Sequence, residues 1–104
     1  PNRTIVAVIG ALRDKDTDYM VHALSDIFHH VVTITPNNPR ALDAKIFALR
    51  WIACGRQATA AADINDAMSR AQQLIGENDV ILVCGSHFVA AEAREKIKYH
   101  FMEK

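Results

Sequence analysis

Short β-branched apolar runs alternate with amphipathic helical patterns along this chain, and this alternation constrains the fold more than any other feature. Three runs, at residues 4–9, 31–34 and 80–83, are almost continuously apolar and are followed by residues that favour turns. Strands without polar alternation are typical of a sheet that is buried on both faces. We therefore expect a parallel sheet with right-handed crossovers and helices on both of its faces.

The segments between these runs have the apolar spacing of helices and polar residues that can cap them. We predict a helix capped by Asp16 or Thr17, a second from about Asp43 to Gly55, and a third from Asp63 to Gly76. The apolar stripe of the first comprises Met20, Leu24, Ile27 and Phe28, and that of a final helix comprises Ala90, Ala93, Ile97 and Phe101. A weak strand at residues 57–61 completes the alternation. The sequence thus predicts one α/β domain over residues 1–104, with an open, mostly parallel, Rossmann-like sheet in the order βαβαβαβα.

Composition limits the partners and the compartment. A chain of 104 residues, half of them hydrophobic, supports one small core. Twelve basic residues balance twelve acidic ones, so no basic excess favours a nucleic acid or an acidic membrane surface. The two cysteines form no C-x-x-C pair, which favours the reducing cytoplasm, and no apolar run is long enough to span a bilayer. The start at Pro1 is typical of a piece of a longer chain or of a processed product.

Three loops are candidates for a binding site, because ligands of open parallel sheets bind outside the carboxyl ends of the strands. The loop at residues 10–16 carries four successive charges, the loop at 35–40 contains two prolines and two asparagines, and the loop at 84–88 is small and polar. Each also has a purely structural interpretation, as a solvated loop, a turn or a helix cap. A helix N-terminus nevertheless suits a carboxylate or a phosphate.

Several familiar catalytic motifs are absent. The chain has neither G-x-x-x-x-G-K-[ST] nor G-x-G-x-x-G, so it has no nucleotide cradle of its own. Cys84 ends a predicted strand, but a phosphatase-like nucleophile needs an arginine near position 90, which is alanine. The adjacent His29 and His30 point in opposite directions on an extended segment, and no histidine has a second ligand at a metal-binding spacing. We predict no metal site in this chain.

Several segments together resemble the C-terminal, glutamate-ligase domain of folylpolyglutamate synthase and dihydrofolate synthase, in the Mur ligase superfamily. The segments, in chain order, are V-I-G-A-L-R-D-K-D at 8–16, V-T-I-T-P at 32–36, P-R-A-L at 39–42, Asp66-Ala67, and D-V-I-L-V-C-G-S at 79–86. The likeness covers nearly the whole chain in order. Its most specific parts are the Asp-Lys-Asp after the first strand and the Val-Cys-Gly-Ser near the end.

The resemblance implies ATP-dependent amide ligation, in which a substrate carboxylate is phosphorylated and the acyl phosphate is attacked by the amine of glutamate. It implies that ATP and Mg²⁺ are held mainly by a preceding ATPase domain, over which this domain closes, with glutamate and a folate or pteroate as substrates. By motif, Asp14, Lys15 and Asp16 would face the nucleotide and the interdomain cleft. Ser86 and His87 would lie in the glutamate pocket, and Arg40 would supply a loop contact. The isolated chain is expected to be inactive.

The sequence departs from the family pattern in two places. The family's domain opens with a strand ending in Asp-Gly-Ala-His-Asn-Pro and a following helix, which this chain lacks. His87-Phe88 follows Gly85-Ser86 where relatives often have Leu-Tyr or Phe-His. Three alternatives stay open: a stand-alone module for a small anionic ligand, a structural domain that docks through the incompletely covered helix bearing Trp51, and the corresponding domain of a cell-wall Mur ligase.

Overall fold

The computed structural model describes residues 4–13, 16–76 and 79–85. The elements alternate along the chain as β1 (Ile5–Gly10), α1 (Thr17–Leu24), β2 (His30–Thr33), α2 (Ala44–Ala53), β3 (Gln57–Ala60), α3 (Ile64–Leu74) and β4 (Val80–Gly85). The described strands form one parallel sheet in the order β3-β2-β1-β4. The predicted α/β class is confirmed, and the weak strand predicted at residues 57–61 is present as β3, one residue shorter. The predicted final helix lies outside the described residues.

Each face of the sheet carries its own core. On one face, Ala7 and Ile9 of β1 pack with Val21 of α1 and with Phe47 and Trp51 of α2. On the other face, the alternate β1 residues Val6 and Val8 pack with residues of α3, which are Ala67, Met68 and Ala71. Because successive side chains of a strand point to opposite faces, a strand that is buried on both must be apolar throughout. The β1 run meets that requirement.

The predicted caps begin the helices as expected. Asp16 accepts a hydrogen bond from the backbone N–H of Tyr19 at 3.0 Å, and Asp63 accepts one from Asp66 at 2.8 Å. Asp43 accepts one from Lys45 at 3.0 Å. Each bond satisfies an N–H that has no partner within the first helical turn.

The first helix is shorter than its apolar stripe predicts. It ends at Leu24, whose carbonyl oxygen accepts from the backbone N–H of both Ile27 and Phe28. This turn redirects the chain into β2, so that Ile27 is 46% exposed while Phe28 is buried outside the helix. The buried residues of α1 are Thr17 and Val21 instead.

The prediction that the helix bearing Trp51 is incompletely covered holds for one side of the helix but not for Trp51 itself. Trp51 is fully buried between Phe28 and Phe47, with both ring centroids 5.9 Å away, so the indole itself is not a docking residue. The opposite side of α2 is exposed and apolar, as its unusually wide apolar surface predicts. Gly55 follows the helix with a φ of +87°, which glycine adopts without the strain of a side chain.

Candidate functional site

The strand order reverses between β1 and β4. From β1 the chain winds outward through β2 to β3, and then crosses back to place β4 on the free side of β1. Open parallel sheets bind ligands at this kind of switch point, outside the carboxyl ends of the strands. We call this side of the sheet the carboxyl edge. Gly10 pairs with Gly85 there, so β1 and β4 end side by side.

The loops after β1 and β2 are joined to each other. Leu12 and Ala41 form an isolated antiparallel bridge, and the backbone N–H of Arg13 donates to the carbonyl oxygen of Arg40 at 2.7 Å. The Arg13 guanidinium also donates to the carbonyl oxygen of Pro39 at 3.3 Å. The carboxyl edge therefore brings all three predicted loop starts into one row, with the β1 loop in the middle.

Arg40 lies on this row and is exposed. Its backbone N–H donates to Asn38 Oδ1 at 2.8 Å, and Ala41 N–H donates to the Asn38 carbonyl oxygen at 3.0 Å. Asn38 thus orders the turn that presents Arg40, which is the typical role of asparagine in such loops.

Of the other predicted site residues, the structure describes Asp16 alone. Asp16 is exposed and its carboxylate caps α1, so it has a structural role in addition to any role in a cleft. Asp14, Lys15, Ser86 and His87 lie outside the described residues. Their roles therefore stay predictions.

Two threonines anchor α2 at the carboxyl edge, a feature that the sequence analysis missed. The buried hydroxyl of Thr33 donates to the carbonyl oxygen of Ala44 at 2.7 Å. The backbone N–H of Ala44 donates to Thr35 Oγ1 at 2.9 Å. The threonine at the end of a buried strand could have indicated this contact, because a buried hydroxyl needs a hydrogen-bond partner.

A cavity of about 350 Å³ opens at the ends of β2 and β3, away from the switch point. Its lining includes Thr35, Asp43, Lys45, Ala61, Asp66 and Arg70. The Asp66 carboxylate accepts from the backbone N–H of Ala62 at 2.8 Å and from Arg70 Nε at 3.0 Å. Both hydrogen bonds lower the pKa of Asp66 below its ordinary 3.8, and the bond from Ala62 lowers it more than the bond from Arg70. Because these hydrogen bonds connect α3 to the end of β3, we interpret them as structural.

The two adjacent histidines lie at the opposite end of the sheet. His29 Nδ1 accepts from the backbone N–H of Ile5 at 3.0 Å, whereas the His30 ring lies 3.2 Å from Gln57 Oε1 and 3.4 Å from Thr59 Oγ1. They therefore face different partners, as predicted for an extended segment, and neither reaches the carboxyl edge.

The residues described at the carboxyl edge do not by themselves fit a metal or a nucleotide. Within residues 4–13, 16–76 and 79–85, no group of three or more His, Cys, Asp or Glu side chains could hold a metal ion. The charged side chains described in the loops at residues 10–16 and 35–40 are those of Arg13, Asp16 and Arg40, and neither described loop has the glycine-rich sequence of a phosphate cradle. In the same part of the chain, none of the helices has the length and apolar character needed to cross a membrane.

Comparison with known families and structures shows what this chain is similar to. The family model described as "Mur ligase, glutamate ligase domain" matches residues 1–87. Among curated protein sequences, none matches this chain. Solved structures match it closely over nearly its whole length.

One such structure is folylpolyglutamate synthase of Mycobacterium tuberculosis complexed with ADP and AMPPCP, at 29% identity and a TM-score of 0.80. Another is a bifunctional folylpolyglutamate synthase/dihydrofolate synthase with Mn, AMPPNP and L-glutamate bound, at 26% identity and a TM-score of 0.80. The matches cover 92% of this chain in both cases, but 24% and 23% of the relatives. E. coli FolC in complex with DHPP and ADP has the same fold, with a TM-score of 0.83 at 24% identity over 94% of this chain and 23% of FolC. The chain therefore spans about a quarter of these relatives.

Proposed function

Since the chain belongs to the Mur ligase family of glutamate ligase domains, we propose that it is the C-terminal domain of an ATP-dependent ligase that joins glutamate to a folate or pteroate carboxylate. The chain spans about a quarter of its solved relatives, which supports the proposal that the complete activity requires further domains. We propose that these include the ATPase domain and the first strand and helix of this domain. The likeness to folate enzymes favours this function over a cell-wall ligase or a stand-alone binding module.

The pairing of Gly10 with Gly85 is the observation that carries the proposal. It puts the carboxyl ends of β1 and β4 side by side at the switch point, which supports the proposal that the loops after these two strands act together. A ligand that enters from the carboxyl edge can therefore contact both loops at once.

The proposed reaction needs an amine, a carboxylate and a means of activating the carboxylate. Phosphorylation converts the folate or pteroate carboxylate into an acyl phosphate; the glutamate amine then attacks its carbonyl carbon, and phosphate leaves as the amide forms. ATP would supply the phosphoryl group and Mg²⁺ would neutralise its charge, and both would be held mainly by the ATPase domain.

This chain would position glutamate and close the cleft. We assign Ser86, with His87 beside it, to a carboxylate of glutamate, because a hydroxyl and free N–H groups at a helix N-terminus suit an anion. Asp14, Lys15 and Asp16 would face the nucleotide, where a lysine approaches phosphate oxygens as a point charge. Arg40 lies on the same row of loops and is exposed, so it can contact a second anionic group.

The test is glutamate incorporation by the full-length polypeptide that contains this chain. Radiolabelled glutamate is supplied with ATP and either pteroate or folate, and the product is separated by chromatography. We expect ATP-dependent incorporation with at least one acceptor, none by the 104-residue chain alone, and a large loss in the Lys15→Gln variant. No incorporation with either acceptor, or transfer to a cell-wall peptide precursor instead, would exclude a folate ligase.

A further inference from the structure

The outer face of α2 is apolar and exposed although its inner face is completely packed. Ile46, Leu49 and Ile52 are 48%, 64% and 49% exposed, and we call these three side chains the α2 outer face. Phe47 and Trp51 on the inner face are both 0% exposed. The helix therefore cannot rotate to bury its outer residues without removing two aromatic side chains from the core.

The size of this face limits what can cover it. Three aliphatic side chains exposed by about half each present on the order of 300 Å² of apolar surface, the lower end of the largest patch on a typical monomer. A stable complex between separate molecules takes about 800 Å² from each partner, so this face is too small for a dimer. Contacts between domains of one polypeptide bury about 600–1,500 Å² in total, because a tethered partner has a high effective concentration. An area of this size fits a tethered domain.

The position of the face also favours a partner that meets the carboxyl edge. Thr33 and Thr35 hold the first residue of α2, Ala44, at that edge. Ile46 is two residues further along the helix, about 3 Å along its axis. A domain that closes over the carboxyl edge would therefore meet the α2 outer face first at Ile46, the member of the face closest to that edge in the helix.

We propose that the α2 outer face is the contact surface for the remainder of the ligase polypeptide, a part about three times as long as this chain in the solved relatives. The inference rests on the proposed function, since it requires that such a remainder exists. The surface that covers it is apolar, with an acidic or polar rim near the exposed Lys45. The covering surface extends the interdomain contact from the loops onto the side of this domain.

The experiment is hydroxyl-radical footprinting of the full-length polypeptide, read by mass spectrometry at single residues. Leu49 and Leu74 are a matched pair, because both are leucines, but they lie on helices that cover opposite faces of the sheet and are 64% and 41% exposed. Each oxidation rate is divided by the rate of the same leucine in the urea-unfolded protein. If nothing covered α2, Leu49 would react faster than Leu74. We expect Leu49 to react more slowly than Leu74. The normalised oxidation rate of Leu49 should be at least three-fold below the rate expected for a leucine that is 64% exposed.

A normalised Leu49 rate that matches its exposure in this chain would overturn the proposal, whatever Leu74 does. Protection that disappears on hundred-fold dilution would also overturn it, because it would identify a second copy as the occupant. A separate glutamate-incorporation assay on the same sample distinguishes the two proposals. Protection of Leu49 in a polypeptide without ligase activity would leave the contact standing and refute the function, and the converse would refute the contact alone.

Discussion

Replacing Trp51 tests how much of the fold depends on the core between α2 and the sheet. Trp51 is fully buried, and its ring centroid lies 5.9 Å from those of both Phe28 and Phe47. An indole buries up to roughly 250 Å², which at about 25 cal/mol per Å² contributes about 6 kcal/mol. Because alanine retains part of this burial and the cavity collapses partly, we expect Trp51→Ala to lower the free energy of unfolding by about 3–5 kcal/mol.

The change to phenylalanine isolates the ring contacts from the indole N–H. Trp51 Nε1 is buried without a hydrogen-bond partner among the described residues, and an unsatisfied buried donor costs about 1–3 kcal/mol. Trp51→Phe removes this donor and keeps an aromatic ring against Phe28 and Phe47. The free energy gained by removing this donor offsets most of the free energy lost with the buried area. We therefore expect the free energy of unfolding of this variant to lie within about 1.5 kcal/mol of the wild-type value.

Urea denaturation followed by far-UV circular dichroism measures both variants, because Trp51 is the only tryptophan and fluorescence is lost with it. The matched control is Tyr19→Ala, which truncates an aromatic side chain that is 72% exposed and should change stability by about 0.5 kcal/mol or less. A loss below about 1 kcal/mol for Trp51→Ala would refute the packing argument. A wild-type emission maximum equal to that of tryptophan in water would do so independently.

Three further changes test the turn, the charge pair and the proposed pocket. Gly55→Ala should lower the free energy of unfolding by about 1–2 kcal/mol in a urea titration, because φ is +87°. Backbone strain is the whole expected cost, since beyond the neighbouring residues no atom lies within 4 Å of the added methyl. An unchanged midpoint would show that the loop relaxes without strain. Asp66→Asn should lower the free energy of unfolding at neutral pH. Because the folded-state pKa of Asp66 is depressed, the difference in this free energy between variant and wild type should shrink as the pH falls below 3.8. A difference that stays constant from pH 6 to pH 2 would contradict the linkage. In the full-length enzyme, Ser86→Ala should raise the KM for glutamate about ten-fold to a hundred-fold, since a lost bond to a charged group costs roughly 1.5–3 kcal/mol, while the KM for ATP stays unchanged. An unchanged glutamate KM with a lower Tm would make Ser86 a helix cap alone.

The amino-acid sequence alone determines most of the architecture, because local patterns reflect local physics. The continuous apolar run of β1 requires burial on both faces, and the structure confirms two cores. Asp16, Asp43 and Asp63 cap their helices as predicted, since a cap depends on neighbours two or three residues away. Gly55 ends α2 for the same kind of local reason.

Only the tertiary structure decided how these elements meet. The adjacency of β1 and β4, and with it the pairing of Gly10 with Gly85, depends on contacts between residues 75 positions apart, which no local pattern encodes. The end of α1 at Leu24 was also decided by the turn into β2 rather than by the stripe that continues to Phe28. For α2, the sequence pattern predicted an excess of apolar surface but could not show which side of the helix is buried. Packing against the sheet decided that Trp51 is buried and that Leu49 is exposed. The helix faces the sheet with the side chains that best fill the space between them.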